Sequence, residues 1–246
     1  MDEFKEYLKD THKCKTLDSL QKKFDEIALH FLRYGVIVVS KEADFSSTEM
    51  EFLPTEIEIY FNDQRIHADP YTHGWNKQLE FGSWYLHKYG INPKGKIFDD
   101  ITKKFTHNRT GLDITFGDGS KIHAGILIRS IKERYSENKS VIEGPNKSLR
   151  ELLQLQDKKL PERNPEQLVE LFGSAKKEGT AFESNYLYIK FTHIQKEPLY
   201  KAQRKLGKTI RSSFYNKQLY RYFTIKPKAH KPQDCHLLEE PSDKTD

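Results

Sequence analysis

The sequence predicts an α+β fold: a single domain with a curved, largely antiparallel sheet flanked by helices. Three observations predict it. Short apolar runs of strand-like alternation are interleaved with segments of helical spacing. One hairpin is explicit, with Leu112–Phe116 and Ala124–Arg129 flanking the turn Gly117-Asp118-Gly119. The regular strand–helix alternation of a doubly wound parallel sheet is missing.

Taken in order, residues 1–17 form a charged N-terminal extension whose large apolar side chains include Phe4, Tyr7 and Leu8, and a loose helix or a frayed segment is expected there. Apolar residues at 20, 24, 27, 28, 31 and 32 then recur with helical spacing, so an amphipathic helix runs from about Asp18 to Tyr34. Gly35 suits the left-handed position that closes many helices. Val36–Val39 reads as a buried strand, and residues 40–48 as a polar loop. A strand follows over Glu56–Phe61, and residues 62–80 read as an irregular loop rich in His, Asp, Pro, Tyr and Trp. Trp84–His87 is a short strand, and the polar, basic stretch 91–110 is an excursion before the hairpin. Leu149–Leu155 is a helix after Gly144-Pro145, and 165–172 is another, begun by Asn164-Pro165. Tyr186–Phe191 is a late strand. The domain proper spans 18–226, its part from 196 being basic, and the Pro- and charge-rich segment 227–246 is expected to be disordered.

Bulk properties narrow the function classes. The 246 residues carry a net charge of +5, which suits a polyanionic partner. Two cysteines, Cys14 and Cys235, allow neither a disulfide framework nor a Cys-x-x-Cys metal pair, so a reducing compartment is expected, cytoplasmic or, in a eukaryote, nuclear. The first thirty residues contain no apolar signal core. No apolar run approaches the roughly 20 residues that span a bilayer, so no membrane partner is expected.

Five constellations could carry chemistry. In the strand Glu56-Ile57-Glu58-Ile59-Tyr60, side chains alternate, so Ile57, Ile59 and Phe61 point to a core while Glu56, Glu58 and Tyr60 share the other face. That face offers a proton acceptor beside a flat ring; a solvated sheet face would read the same way. His67, His73 and His87 form a loose set, but their spacing fits no zinc pattern and no metal is expected. In the hairpin, Asp113 shares a face with Thr115, and Arg129 ends an apolar strand where a lone cation is usually paired with a carboxylate. Glu143-Gly144-Pro145-Asn146-Lys147-Ser148 precedes a helix and could cradle a phosphate, or be an ordinary cap. Residues 196–231 hold eleven Lys or Arg against Glu197, with Tyr200, Phe214, Tyr215, Tyr220, Tyr222 and Phe223 interleaved. Charge attracts phosphates and aromatics stack on bases, so Lys201, Arg204, Lys205, Lys208 and Arg211 are candidate nucleic-acid contacts; a solvated helix with core-facing aromatics is the plainer reading.

In this order the elements resemble the alkyladenine (3-methyladenine) DNA glycosylase family over roughly half the chain, from the helix and strand before Glu56 through Leu152. Glu56–Tyr60 is similar to the family's Glu-Thr-Glu-Ala-Tyr, which implies that Glu58 is the catalytic base and Tyr60 a stacking ring. His67 falls where the family has a pocket histidine. Gly82–His87 is similar to its Gly-Thr-Leu-Tyr-Val-Tyr strand, which implies substrate contacts from Tyr85 and His87. Leu112–Thr115 is similar to Met-Asn-Ile-Ser, Ile126–Arg129 to Val-Leu-Leu-Arg, and Gly144–Lys147 to Gly-Pro-Ser-Lys. Tyr89 is the counterpart of the strand-separating Tyr, beside what reads as an insertion over 91–110. His87 and Asp113 depart from the family's Tyr and Asn.

The resemblance implies a monofunctional, monomeric DNA glycosylase of base excision repair. It would flip a damaged or modified base from DNA, single strands included, and hydrolyse its N-glycosidic bond with water activated by Glu58, without a cofactor. Tyr60 and His87 would sandwich the base, His67 and Asp113 would read its edge, and Arg129 would hold the pocket wall. Lys147 and the basic segment would hold phosphates. The alternatives are a non-catalytic nucleic-acid-binding protein on the same scaffold and a histidine-dependent RNase.

Overall fold

A computed structural model describes the chain apart from residues 1, 44–45, 73, 89–109, 137–139, 153–186, 194, 205–217, 229–230 and 240–246. The helices are α1 (Asp2–Asp10), α2 (Leu17–Tyr34), α3 (Asn76–Leu79) and α4 (Pro145–Leu152). The strands are β1 (Gly35–Ala43), β2 (Ser46–Asp63), β3 (His67–Ala68), β4 (Phe81–Lys88), β5 (Thr110–Phe116), β6 (His123–Glu133), β7 (Ile142–Glu143), β8 (Leu187–Phe191), β9 (Leu199–Gln203), β10 (Arg221–Phe223) and β11 (Gln233–Glu239). They form one large antiparallel sheet of order β11-β9-β10-β2-β6-β5-β4, with β1 and β8 joined through the first half of β2. The α+β class and antiparallel sheet follow the expectation. Among the described residues no helix is long and apolar enough to cross a membrane.

Strand β2 is the hub. Its 18 residues pair with β1 through Ser46–Phe52, then with β10 on the same side and with β6 on the other. The expected polar loop at 40–48 is instead the continuation of two strands into a hairpin, because backbone pairing does not require apolar side chains. Ile57, Ile59 and Phe61 face the main core, where they meet Phe24, Ile126 and Ile128. Helix α2 supplies Leu20, Phe24, Ile27 and Phe31 to that core, and a capping box between Thr16 and Ser19 starts it.

Three expectations about the termini and α2 are corrected. Residues 1–17 are no loose extension: Phe4 and Leu8 of α1 are fully buried, and the Phe4 ring stacks on Phe31 at 5.5 Å. Burying such a side chain stabilises by about 1.5–3 kcal/mol, which outweighs the polar composition around it. The tail beyond Pro227 contains a strand, β11, on the edge beside β9. Its side chains are mostly exposed; backbone pairing and an ion pair from Arg33 to Glu239, at 2.6 Å, hold it. Gly35 is extended at φ −71°, not left-handed. Its lack of a side chain is needed for space, since a Cβ there would lie 2.4 Å from the Phe31 carbonyl oxygen. Gly35→Ala is therefore expected to destabilise by about 1–3 kcal/mol, seen as a lower urea midpoint; an unchanged midpoint would refute the clash.

Candidate active site

On the face of β2 opposite the helical core lie Glu56 and Glu58, 2% and 1% exposed. Pairing registers explain which groups join them. Around Glu56 the β2–β6 ladder is irregular, passing from Pro54↔Ile131 to Glu56↔Ser130 to Ile57↔Ile128. Thr55 and Arg129 are each passed over, and such irregularities re-aim side chains. Arg129 thereby reaches both acids. Its Nε donates to Glu56 Oε1 at 2.8 Å, and its Nη1 donates to Glu58 Oε2. The other Glu58 oxygen accepts from the Tyr60 hydroxyl at 2.9 Å. Glu56 also accepts from Arg221 Nε of β10 at 2.5 Å and from Ser130 Oγ at 2.8 Å.

The electrostatics keep these donors protonated. Burial alone would lower the Arg129 pKa, but the carboxylates of Glu58 and Glu56 outweigh it and raise it. Burial, reinforced by the Glu58 charge, pushes the Tyr60 phenol well above its ordinary range. The phenol therefore donates at any physiological pH. Each carboxylate oxygen has two acceptor directions, so Glu58 retains capacity to accept from a water.

Continuing across the sheet, Glu58 is level with Leu127, Leu127 with Asp113, and Asp113 with Tyr85. At about 4.8 Å per strand, Glu58 and Asp113 are roughly 10 Å apart along this row. Asp113 and Tyr85 are both buried, and burial followed by the Asp113 charge raises the Tyr85 phenol. The next row runs from Tyr60 to Gly125 to Thr115. A side chain at Gly125 would meet Asp113 Oδ2 at 3.3 Å, so the glycine keeps the floor between Tyr60 and Asp113 low. His87, on β4 two residues beyond Tyr85, is level with Gly111 of β5; its side chain lies outside the described residues.

A second cluster adjoins Tyr60. Arg204, with its side chain fully buried, makes a two-pronged ion pair with Asp69 at 2.8 and 3.2 Å. Its guanidinium lies over the rings of Tyr60, Tyr71 and Tyr220, at 5.0, 5.3 and 5.1 Å. Against this cluster sits His67, its ring edge-on to Tyr220 at 5.3 Å. The sequence expectation of Arg204 as a DNA contact is thus corrected: a guanidinium buried among three rings and held by Asp69 ties β9 to the loop after β3. Lys201 is likewise engaged, 2.7 Å from Asp25 of α2, on the helical face of the sheet. Lys147 is exposed at the start of α4. Tyr89, Lys205, Lys208, Arg211, His73 and the predicted 165–172 helix lie outside the described residues.

Burial pushes the His67 imidazole down from 6.5 to about 4, with Asp69 opposing the shift and Arg204 adding to it. Between those values the unfolded chain binds the proton and the folded one does not. The stability tied to His67 is therefore complete above about pH 6.5 and falls as pH drops towards about 4, by up to about 3 kcal/mol. Urea midpoints measured across that range are expected to fall less steeply for His67→Phe than for the wild type; parallel slopes would show that His67 is not the group.

The structure brings Glu58, Tyr60 and Arg129 into direct contact and aligns Tyr85 and Asp113 with them. It adds Glu56, Ser130 and Arg221, which sequence reasoning left unassigned. One signal was available for Arg221, a single cation inside the aromatic run Tyr220–Phe223. In the Gly144-Pro145 segment one backbone N–H is engaged within the protein. Gly144, at φ +106°, donates its N–H to the Arg129 carbonyl at 2.8 Å, and Ser148 Oγ lies 3.3 Å from the same oxygen. Among the described residues no group of three or more His, Cys, Asp or Glu is placed to hold a metal.

No family profile matches this chain. An uncharacterized protein of Acanthamoeba polyphaga mimivirus is 29% identical over 190 residues, covering 72% of this chain and 77% of the viral protein.

Proposed function

We propose that the chain is a monofunctional DNA glycosylase, active as a monomer where the cell keeps its DNA. Glu58 activates the water that displaces a flipped, modified base. The carrying observation is the Glu58 carboxylate, buried between the Tyr60 hydroxyl and the Arg129 guanidinium with Asp113 level across the sheet. Burying four or more charged groups does little for stability, because desolvation offsets their attraction. Such a cluster is therefore a functional-site candidate on physical grounds.

The reaction breaks the bond between sugar C1′ and the base nitrogen. The base leaves with the bonding electrons, C1′ gains positive character, and water adds as its proton passes to a base. Glu58 can take that proton and offset the charge at C1′. A base entering from that side would lie over Leu127 and Gly125, with Tyr60 beside it and Asp113 at its far edge. Asp113 as a carboxylate would accept from an exocyclic amine or ring N–H. Nothing in these steps calls for a metal or an organic cofactor.

One observation favours a non-catalytic nucleic-acid-binding protein instead: both Glu58 oxygens already accept a hydrogen bond, as in a structural acid. An RNase led by His67 is less well supported, since a buried imidazole with a pKa of about 4 is neutral near pH 7 and cannot act as the acid. Purified protein incubated with alkylated and deaminated oligonucleotides, duplex and single-stranded, is expected to leave abasic sites in at least one. Binding without abasic sites would leave the non-catalytic reading standing.

A further inference from the structure

We infer that Glu56 is a positioning residue that, with Arg221 and Ser130, fixes the plane of the Arg129 guanidinium and so the direction in which Arg129 holds Glu58. The inference rests on the reading of Glu58 as the catalytic base. Arg129 is anchored at two levels. Its backbone carbonyl, at the ladder irregularity, accepts from the Gly144 N–H. Its Nε is held by Glu56 Oε1, which also accepts from Arg221 Nε, while Glu56 Oε2 accepts from Ser130 Oγ. A guanidinium is a rigid planar fork, so fixing Nε and the main chain leaves Nη1 one direction to point, towards Glu58 Oε2.

Glu56 therefore has a task different from its twin two residues on. Its two oxygens accept from three protein donors on three residues, and Arg221, fully buried, meets it from the opposite neighbouring strand. Glu58 accepts from two donors, one of them the guanidinium that Glu56 orients. The two acids of the Glu-x-Glu strand are thus divided into a holder and a reactant.

The test uses full-length protein and the variants Glu56→Gln and Ser130→Ala. The second removes only one neutral donor and keeps the experiment decisive if the first does not fold. Single-turnover base release and DNA affinity are measured on the best modified oligonucleotide. Hydrogen exchange of the Arg129 Nε–H is followed by NMR, with Arg129→Lys to assign the signal. Slow exchange in the wild type is expected to speed up at least tenfold in Glu56→Gln. Base release is expected to fall by roughly 10–100-fold at unchanged DNA affinity, as misplaced catalytic groups do; Ser130→Ala should show the same pattern at smaller amplitude. Wild-type exchange together with wild-type release in every variant that folds would overturn the inference. If the wild type itself releases no base, the glycosylase reading fails, and the exchange measurement alone decides whether Glu56 holds Arg129.

Discussion

Glu58→Gln is expected to lose base release by a factor of about 10²–10⁴, the usual contribution of a positioned general base, while DNA affinity stays within a few fold. The substitution keeps the shape of the side chain and an oxygen that can accept from the Tyr60 hydroxyl. It removes the carboxylate that the proposed reaction uses to take a proton from water and to offset charge at C1′. It also turns an amide N–H₂ towards Arg129 Nη1, so a modest loss of stability is expected, since Glu56 still compensates that guanidinium. Abasic-site yield at saturating protein, together with a binding isotherm, separates the two effects. Undiminished release by a folded Glu58→Gln protein would remove Glu58 from the chemistry altogether.

Arg129→Ala is expected to be the most damaging single change to stability, by about 3–5 kcal/mol. It leaves two buried carboxylates, Glu56 and Glu58, without the cation that bridges them, and Arg221 alone remains against Glu56. The loss should appear as a lower denaturant midpoint with an unchanged slope. The comparison that carries the point replaces Glu56, Glu58, Arg129 and Arg221 together with apolar residues of similar volume. Because attraction within a buried ion cluster is offset by desolvation, that protein is expected to recover most of the stability while losing all activity. A combined variant no more stable than Arg129→Ala would mean that the cluster serves the fold rather than a reaction.

Much of the fold was legible because it rests on local pattern. The spacing of Leu20, Phe24, Ile27 and Phe31 placed α2 to within a residue or two. The alternation in Glu56–Phe61 put both acids and Tyr60 on one face. The Gly117-Asp118-Gly119 turn announced its hairpin; there the Asp118 carboxylate accepts from the N–H groups of Ser120, Lys121 and Ile122, which hold its pKa below the carboxylate range against the effect of burial. Both chain ends were misread because their order comes from distant partners. Residues 2–10 look soluble until Phe4 meets Phe31, and the tail looks disordered until β9 offers a free edge.

By itself, then, the sequence determined the α+β class, the Glu56–Phe61 segment as a strand, and the side of it on which Glu56, Glu58 and Tyr60 stand, because the two-residue period of a strand acts between neighbours. The full length of β2 and its place as the hub came from pairing. Only the tertiary structure decided what those acids face. Arg129 arrives through a ladder irregularity, Arg221 from a strand more than 160 residues away in sequence, and Arg204, expected from the sequence at a basic surface, lies instead among three tyrosines. Ion pairing acts through space at a few ångströms, and register and crossover, not proximity in sequence, choose which cation meets which carboxylate.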